Sequence, residues 1–233
     1  MDFTRKGLKS DKFQLEVQHS VTYVSEHRQQ MIRWGGIALG VVVLAAAFYL
    51  YRSHEHSVRQ ADLHAAMQIQ NSSIGPASNE YQVAFPTPAD RYKAIDKAFT
   101  DITRKYPGTD EATIADYFLA TNAADQGKVD EAEKHLKIVA DSGTAAYASM
   151  AKLALAQIYA AKGKIADGEK LIQSVIDKPT VLVSKEQATI ELAVLIGPTQ
   201  PDRARKLLEP LRSSGRPNVS KAAISALSDL PKK

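Results

Sequence analysis

Cysteine is absent from the 233 residues, which excludes disulfides, thiolate zinc sites, iron–sulfur clusters and cysteine nucleophiles together. Aromatic residues make up only 7 % of the chain and Trp occurs once. With Ala frequent, that scarcity favours closely packed helices over aromatic-rich strands. No long stretch carries one sign of charge. Residues 1–33 hold six basic against four acidic side chains, residues from Thr199 onward hold eight against three, and the middle is weakly acidic. Nucleic acid is therefore not an expected partner. Also missing are the G-x-S-x-G elbow and the glycine-rich loops that cradle phosphate. No enzyme activity and no cofactor are expected.

What is present is organised around Trp34 to Tyr51, WGGIALGVVVLAAAFYLY, 18 residues without a charge between Arg33 and Arg52. At about 1.5 Å per residue a helix of this length reaches roughly 27 Å, close to the hydrocarbon thickness of a bilayer. Trp34 at one end and Tyr49 and Tyr51 at the other suit the two interfaces. The run is read as a transmembrane helix. Ala45-Ala46-Ala47 resembles a cleavage site, but hydrophobicity continues through Phe48 to Tyr51, so the segment is expected to be retained. Gly36 and Gly40 form a small-xxx-small pair that would admit a neighbouring helix, although such pairs also occur in spans that touch only lipid. Basic residues flanking the run are balanced. Arg5, Lys6, Lys9 and Lys12 tip the topology toward a cytoplasmic N-terminus and a C-terminal body on the far side. Val17, Val21, Val24 and Met31 predict an amphipathic helix in the stretch from Phe13 to Arg33.

After the span, Ser53 to Asn71 continues without Gly or Pro and carries a partly apolar face, Val58, Leu63, Ala66, Met67 and Ile69, as a juxtamembrane helix. Gly75-Pro76 and Phe85-Pro86-Thr87-Pro88 then interrupt regular structure. Thr87 as N-cap, Pro88 in the first turn and Asp90 in the capping-box position open the next helix. Its buried stripe is Ile95, Ala98, Phe99 and Ile102. From here a period of 36 emerges. Gly127-Lys128-Val129 recurs as Gly163-Lys164-Ile165, Ala132 maps to Gly168 and Ala204, and Leu136 maps to Ile172 and Leu208. Two helices per unit at this period mean an α-solenoid. Glu111 to Gln126 is a first helix, Asp130 with Glu133 is the next capping box, and Ala120 and Ala156 oppose the small residues of the second helices. The second unit runs from about Ala145 to Lys178 and the third from about Ser184 to Ser213, where Gly197-Pro198 and Pro201 replace the turn glycine. Pro217 to Ser220 starts a short cap, Ala222 to Leu230. The expected division is a tail at 1–33, the span at 34–51, a juxtamembrane helix and linker at 52–88, and repeats at 89–233. The fold class is all-α.

Leu155-Ala156 and Tyr159 on a first helix, Gly163-Lys164 at the turn, a small residue on the second helix and Pro179 near the unit's end resemble the tetratricopeptide repeat. Arg104 to Thr109 followed by Ala112 looks like the close of a preceding unit. Gly168 stands where that repeat has Ala, its early Trp is missing, and the third unit is degenerate. The layout of tail, span and degenerate repeats is similar to the YfgM-like family, bacterial inner-membrane proteins with a periplasmic tetratricopeptide domain that accompany the SecYEG translocon. The resemblance implies protein partners: the SecYEG channel, a membrane-anchored periplasmic chaperone and the translocating polypeptide. It also implies an inner-membrane, single-pass location with the repeats in the periplasm.

A tetratricopeptide array places its first helices on a concave wall, where Tyr117, Thr121, Leu153, Gln157 and Thr189 would form a lightly charged protein-binding groove. The same residues could instead pack on a neighbouring helix. The groove lacks the Lys/Asn clamp that holds a peptide's terminal carboxylate. Metal ligation has little support. His54 and His56 point about 200° apart on a helix, His19 and His27 lie in the tail, His64 lies downstream, and His135 falls on a surface-type position. Carboxylate pairs such as Asp110-Glu111 and Asp130-Glu131 sit in first turns, where the helix dipole accounts for them. Two readings stay open: an adaptor at the Sec translocon, or a tethered scaffold organising another cell-envelope or cytoplasmic-face complex.

Overall fold

The computed structural model describes residues 28–76 and 83–231. The amphipathic tail helix expected before Arg28, with His19 and His27, lies outside them. The chain divides into two compact units, Met1–Ser57 and Val58–Lys233. Helix α1, Arg28–Gln70, is one uninterrupted helix of 43 residues, about 65 Å long at the standard rise. Its segment from Ile32 onward is long and apolar enough to cross a membrane, and among the described residues none of the apolar window is buried. Trp34, Leu44 and Tyr49 stand exposed along it.

The second unit is built of helix pairs. The last turns of α1 pair with α2, Pro88–Lys105, and α3, Asp110–Asp125, pairs with α4, Val129–Ser142. Next come α5, Ala145–Ala161, with α6, Ile165–Asp177, then α7, Lys185–Ile196, with α8, Pro201–Leu208. A 3₁₀ turn at Glu209–Leu211 and α9, Pro217–Ser228, complete it. Between α1 and α2 a two-residue parallel ladder joins Ser73–Ile74 to Ala84–Phe85. Each helix packs on its sequence neighbours, and the first helices of successive pairs also touch, α3 with α5 and α5 with α7. This is the all-α solenoid that the period of 36 predicts.

Structure assigns a partner to the apolar face just after the uncharged run. Leu63 and Ala66 are buried with Ile95, Phe99 and Ile102 of α2 and with Ala115 and Leu119 of α3. The stretch placed in a separate juxtamembrane segment therefore supplies the first helix of the compact unit. Glu111, 2 % exposed, ties it down, accepting from Arg59 Nε at 3.2 Å and Gln60 Nε2 at 2.8 Å. Burial alone would raise the Glu111 pKa. Its own backbone N–H, Gln60 and Arg59 outweigh burial and hold the carboxyl below its ordinary value, as donors to the charged form do. At the other end, the Arg91 guanidinium donates to the carbonyls of Gln70 and Ser72 and so satisfies acceptors that the helix leaves open.

The turn glycines do what their spacing predicts. Gly127 and Gly163 have φ of +74° and +76°, a left-handed conformation that costs glycine nothing. In both, the following lysine N–H reaches back five residues, Lys128 to the Ala123 carbonyl at 2.9 Å and Lys164 to Tyr159 at 2.7 Å. This closes a Schellman cap. The Thr87 cap also forms, accepting from the Asp90 N–H at 3.1 Å. The expected Asp130–Glu133 capping box does not. The residue preceding α4 is Lys128, which makes no side-chain cap, and both carboxylates instead accept from Lys162, the residue that caps the end of α5, at 2.6 Å. Lys137 and Lys162 hold the Glu133 pKa down to about 2, so the bridge between α4 and α5 stays charged well into acid.

Helix crossings use small residues. Ala120, Ala132, Ala156 and Ala204 are buried. A Cβ on Gly168 would lie 2.8 Å from the Ala156 carbonyl oxygen and 3.2 Å from Leu195 Cδ1. At Gly197 a Cβ would meet Leu230 Cδ2 at 2.7 Å, which is how the end of the chain seats against α7. Gly168→Ala gains about 1 kcal/mol of helix propensity but drives a methyl into backbone, and overpacking of this kind costs about 1–3 kcal/mol. The expected result is a lower melting temperature by calorimetry; a variant that melts higher than the parent would show that α5 and α6 are not in backbone contact.

Candidate protein-interaction face

The first helices of the pairs meet along one face, and two contacts mark it. Tyr117 of α3 packs edge-on against Tyr147 of α5, ring centroids 5.6 Å apart and planes at 69°. Gln157 of α5 donates to Glu191 of α7 at 3.2 Å. Phe118 turns its edge to Tyr117 at 5.9 Å and stacks on Phe99 at 4.9 Å, so the tyrosine pair is continuous with the core beneath. Burial raises the Tyr117 hydroxyl pKa above the ordinary tyrosine value, with Tyr147 adding to it. The phenol therefore stays neutral and acts as a packing ring.

The five residues singled out from the sequence divide in the structure. Leu153 occupies the position of Tyr117 one period later, and both pack on the following unit. Tyr117 lies in the cluster with Tyr147 and Leu155. Leu153 is 8 % exposed and lies in the cluster with Leu192 and Ile196 of α7. Leu153 thus belongs to the body of the wall. One helical turn further on, Thr121 and Gln157 reach the surface. Thr121 is half-buried and donates to the Phe118 carbonyl at 3.0 Å, whereas Gln157 is exposed. Thr189 donates to the Lys185 carbonyl at 2.8 Å, within its own helix. Sequence reasoning missed Tyr147 and Glu191, which complete the two cross-helix contacts, and Val194, 54 % exposed on α7. Tyr117 and Leu153, like Thr121 and Gln157, stand 36 residues apart, but that spacing does not name the residues they touch. Gly36 and Gly40 lie on the exposed part of α1, where among the described residues a side chain at either would meet only its own stretch of helix.

His135 corrects its assignment to the surface: it is half-buried, with Nδ1 2.8 Å from Asp116 Oδ1, and joins α4 to α3. His54, His56 and His64 are exposed along α1, and no group of three metal-ligating side chains converges among the described residues. A groove of ≈ 670 Å³ between α1 and α2 has rim charges that are paired with each other, Asp62 with Lys105 at 2.8 Å and Asp101 with Arg104 at 2.7 Å.

A family model described as a tetratricopeptide repeat-like domain matches residues 28–187. That match covers α1, the first three helix pairs and the opening of α7. No curated protein and no solved structure matches the chain.

The face predicts a contrast between wall and surface. Tyr147→Ala removes a ring packed against Tyr117 and is expected to cost about 2–4 kcal/mol by denaturant unfolding. The double replacement Gln157→Ala with Glu191→Ala should change stability by less than about 1 kcal/mol, as exposed polar pairs do. Equal losses from the two variants would contradict this division.

Proposed function

The chain belongs to the tetratricopeptide repeat-like domain family, and from that premise we propose that it is a membrane-anchored protein-binding adaptor at the bacterial Sec translocon. Repeat domains of this class are protein-interaction scaffolds. In this reading α1 spans the inner membrane through Trp34–Tyr51, the N-terminus is cytoplasmic, and the repeats face the periplasm. The groove face, with Thr121, Gln157, Glu191 and Val194 outermost, takes an extended or helical segment of the translocon, of a membrane-anchored chaperone, or of an emerging polypeptide. Tyr117 and Leu153 hold the helices that display it, and Thr189 lies beside it on α7. The protein works by contact and not by turnover. Gly36 and Gly40 would admit a helix of the channel against the span.

The observation that carries the adaptor reading is the stacking of first helices into one continuous face, its polar pair Gln157–Glu191 set at the surface where exchanging it for a partner costs little. The translocon assignment rests on the layout of span and degenerate repeats. A photo-crosslinking residue at Gln157 in native membranes is expected to capture a Sec channel subunit or a translocating chain, while the same residue at Lys134, exposed on a second helix, captures neither. Adducts confined to proteins unrelated to secretion would replace this reading with that of a scaffold for another envelope complex.

A further inference from the structure

We infer that the cavity between α5 and α6 is a recognition pocket for a glutamate side chain of a bound polypeptide. The inference rests on reading the repeats as a protein-binding unit. It needs neither the translocon nor any residue of the face described above.

A cavity of ≈ 340 Å³ opens between the first turns of α5 and the end of α6, near the lower end of the ~300–1,000 Å³ usual for ligand pockets. Room of this size takes one side chain of a partner, not a large cofactor. Ala145, Ala148 and Val175 give it apolar surface, and Ala148 and Val175 are buried. Lys152 and Lys178 also line it. Among the described residues neither lysine makes an ion pair, whereas Lys97, Lys105, Lys137 and Lys162 each do. Asp177 is the acid on the wall; it is exposed and accepts from Gln173 at 2.9 Å. Two positive charges therefore face one negative.

Other grooves of the repeat unit are balanced. Asp62 and Asp101 offset Arg104 and Lys105 between α1 and α2, and Asp202 and Glu209 offset Arg205 and Lys206 along α8. The start of α5 and the end of α6 meet at the cavity, so their dipoles oppose each other and the side chains set the sign. Lys152 is half-buried, where a carboxylate gains more from an ammonium than it does on open surface.

The hydroxyls narrow the choice of anion, because each has a single proton to give. Ser149, 4 % exposed, donates to the Ala146 carbonyl at 2.7 Å. At its 2.8 Å contact with Thr180 Oγ1, Thr180 must then be the donor. Ser174 donates to the Leu171 carbonyl at 2.7 Å. All three protons are used within the protein, and these oxygens can only accept from a ligand. Thr180 accepts from the Val183 N–H at 3.1 Å and keeps one lone pair, as does Ser149. Phosphate, whose several oxygens call for many donors, is poorly served here. A carboxylate on a short methylene stem fits better: two oxygens for two ammoniums, a stem for Ala148 and Val175, and peptide N–H groups beside it for the Ser149 and Thr180 oxygens. A free small acid lacks those N–H groups.

Full-length nitrogen-15-labelled protein in detergent micelles is titrated with the end-capped peptide Ala-Ala-Glu-Ala-Ala, with its Gln counterpart, with glutarate and with inorganic phosphate. Amide shifts are followed over residues 145–152 and 174–180 by NMR. The Glu peptide is expected to give saturable shifts there, and the Gln peptide to bind about tenfold more weakly or worse, the loss of a charge-assisted contact. Glutarate and phosphate should also bind more weakly than the Glu peptide. Lys152→Gln with Lys178→Gln should abolish the shifts at an unchanged melting temperature. Equal binding of the Gln peptide, tighter binding of glutarate or phosphate, or no shift with any probe overturns the inference, and none of these comparisons depends on a variant that must fold. Photo-crosslinking from Gln157 separates the two readings: capture that persists when the Glu peptide fails to bind leaves the adaptor standing and removes the pocket alone.

Discussion

Gly168 sits so close to the Ala156 carbonyl that a single methyl would intrude, and Ala120, Ala132, Ala156, Ala193 and Ala204 are all buried. The architecture depends on this near contact of helix backbones. Helices carrying bulkier residues at their crossings would stand further apart, and the rows of Leu, Ile and Val beside the crossings could not close into dry clusters. Short Schellman-capped turns at Gly127 and Gly163 follow from the same need, since helices this close leave room for only a few connecting residues. Stability is then carried by contacts between neighbours. That is why the unit needs a beginning, supplied by α1, and an end, supplied by α9 and Leu230 seated at Gly197.

Much of this was legible in the residues, because small side chains and turn glycines recur at a fixed step and each has one local physical meaning. The reading stopped where meaning depends on what lies opposite. Asp130 and Glu133 have capping-box spacing, but the helix starts at Val129, so Asp130 falls inside the first turn and not at the cap, and both carboxylates meet the Lys162 ammonium. Tyr117 and Leu153 are equivalent by period, yet the space facing them is filled by the next unit, so their role is to space helices. His135 looked like a surface residue between Lys134 and Leu136 because nothing local signals Asp116 on α3. The face after the uncharged run, Leu63 with Ala66, was visible as apolar but could not be given a partner from spacing alone.

Those differences sharpen the functional picture. A groove made only of Tyr117 and Leu153 would be an apolar slot, whereas the surface that the structure displays is Thr121, Gln157, Glu191 and Val194, mixed in polarity and lightly charged. The same helix that is apolar enough to span a bilayer contributes Leu63 and Ala66 to the core of the repeat unit, with no Gly or Pro between the apolar run and those residues.

The central claim is that α1 is both the apolar helix and the first rung of the solenoid. Amide hydrogen exchange of the full chain, followed by mass spectrometry, tests it most directly. The amides of residues 60–70 should exchange as slowly as those around Ile95 and Phe99 in α2, because they open only with the packed unit. Exchange in 60–70 many times faster than in α2, as for a solvated helix lying outside a core, would contradict the account.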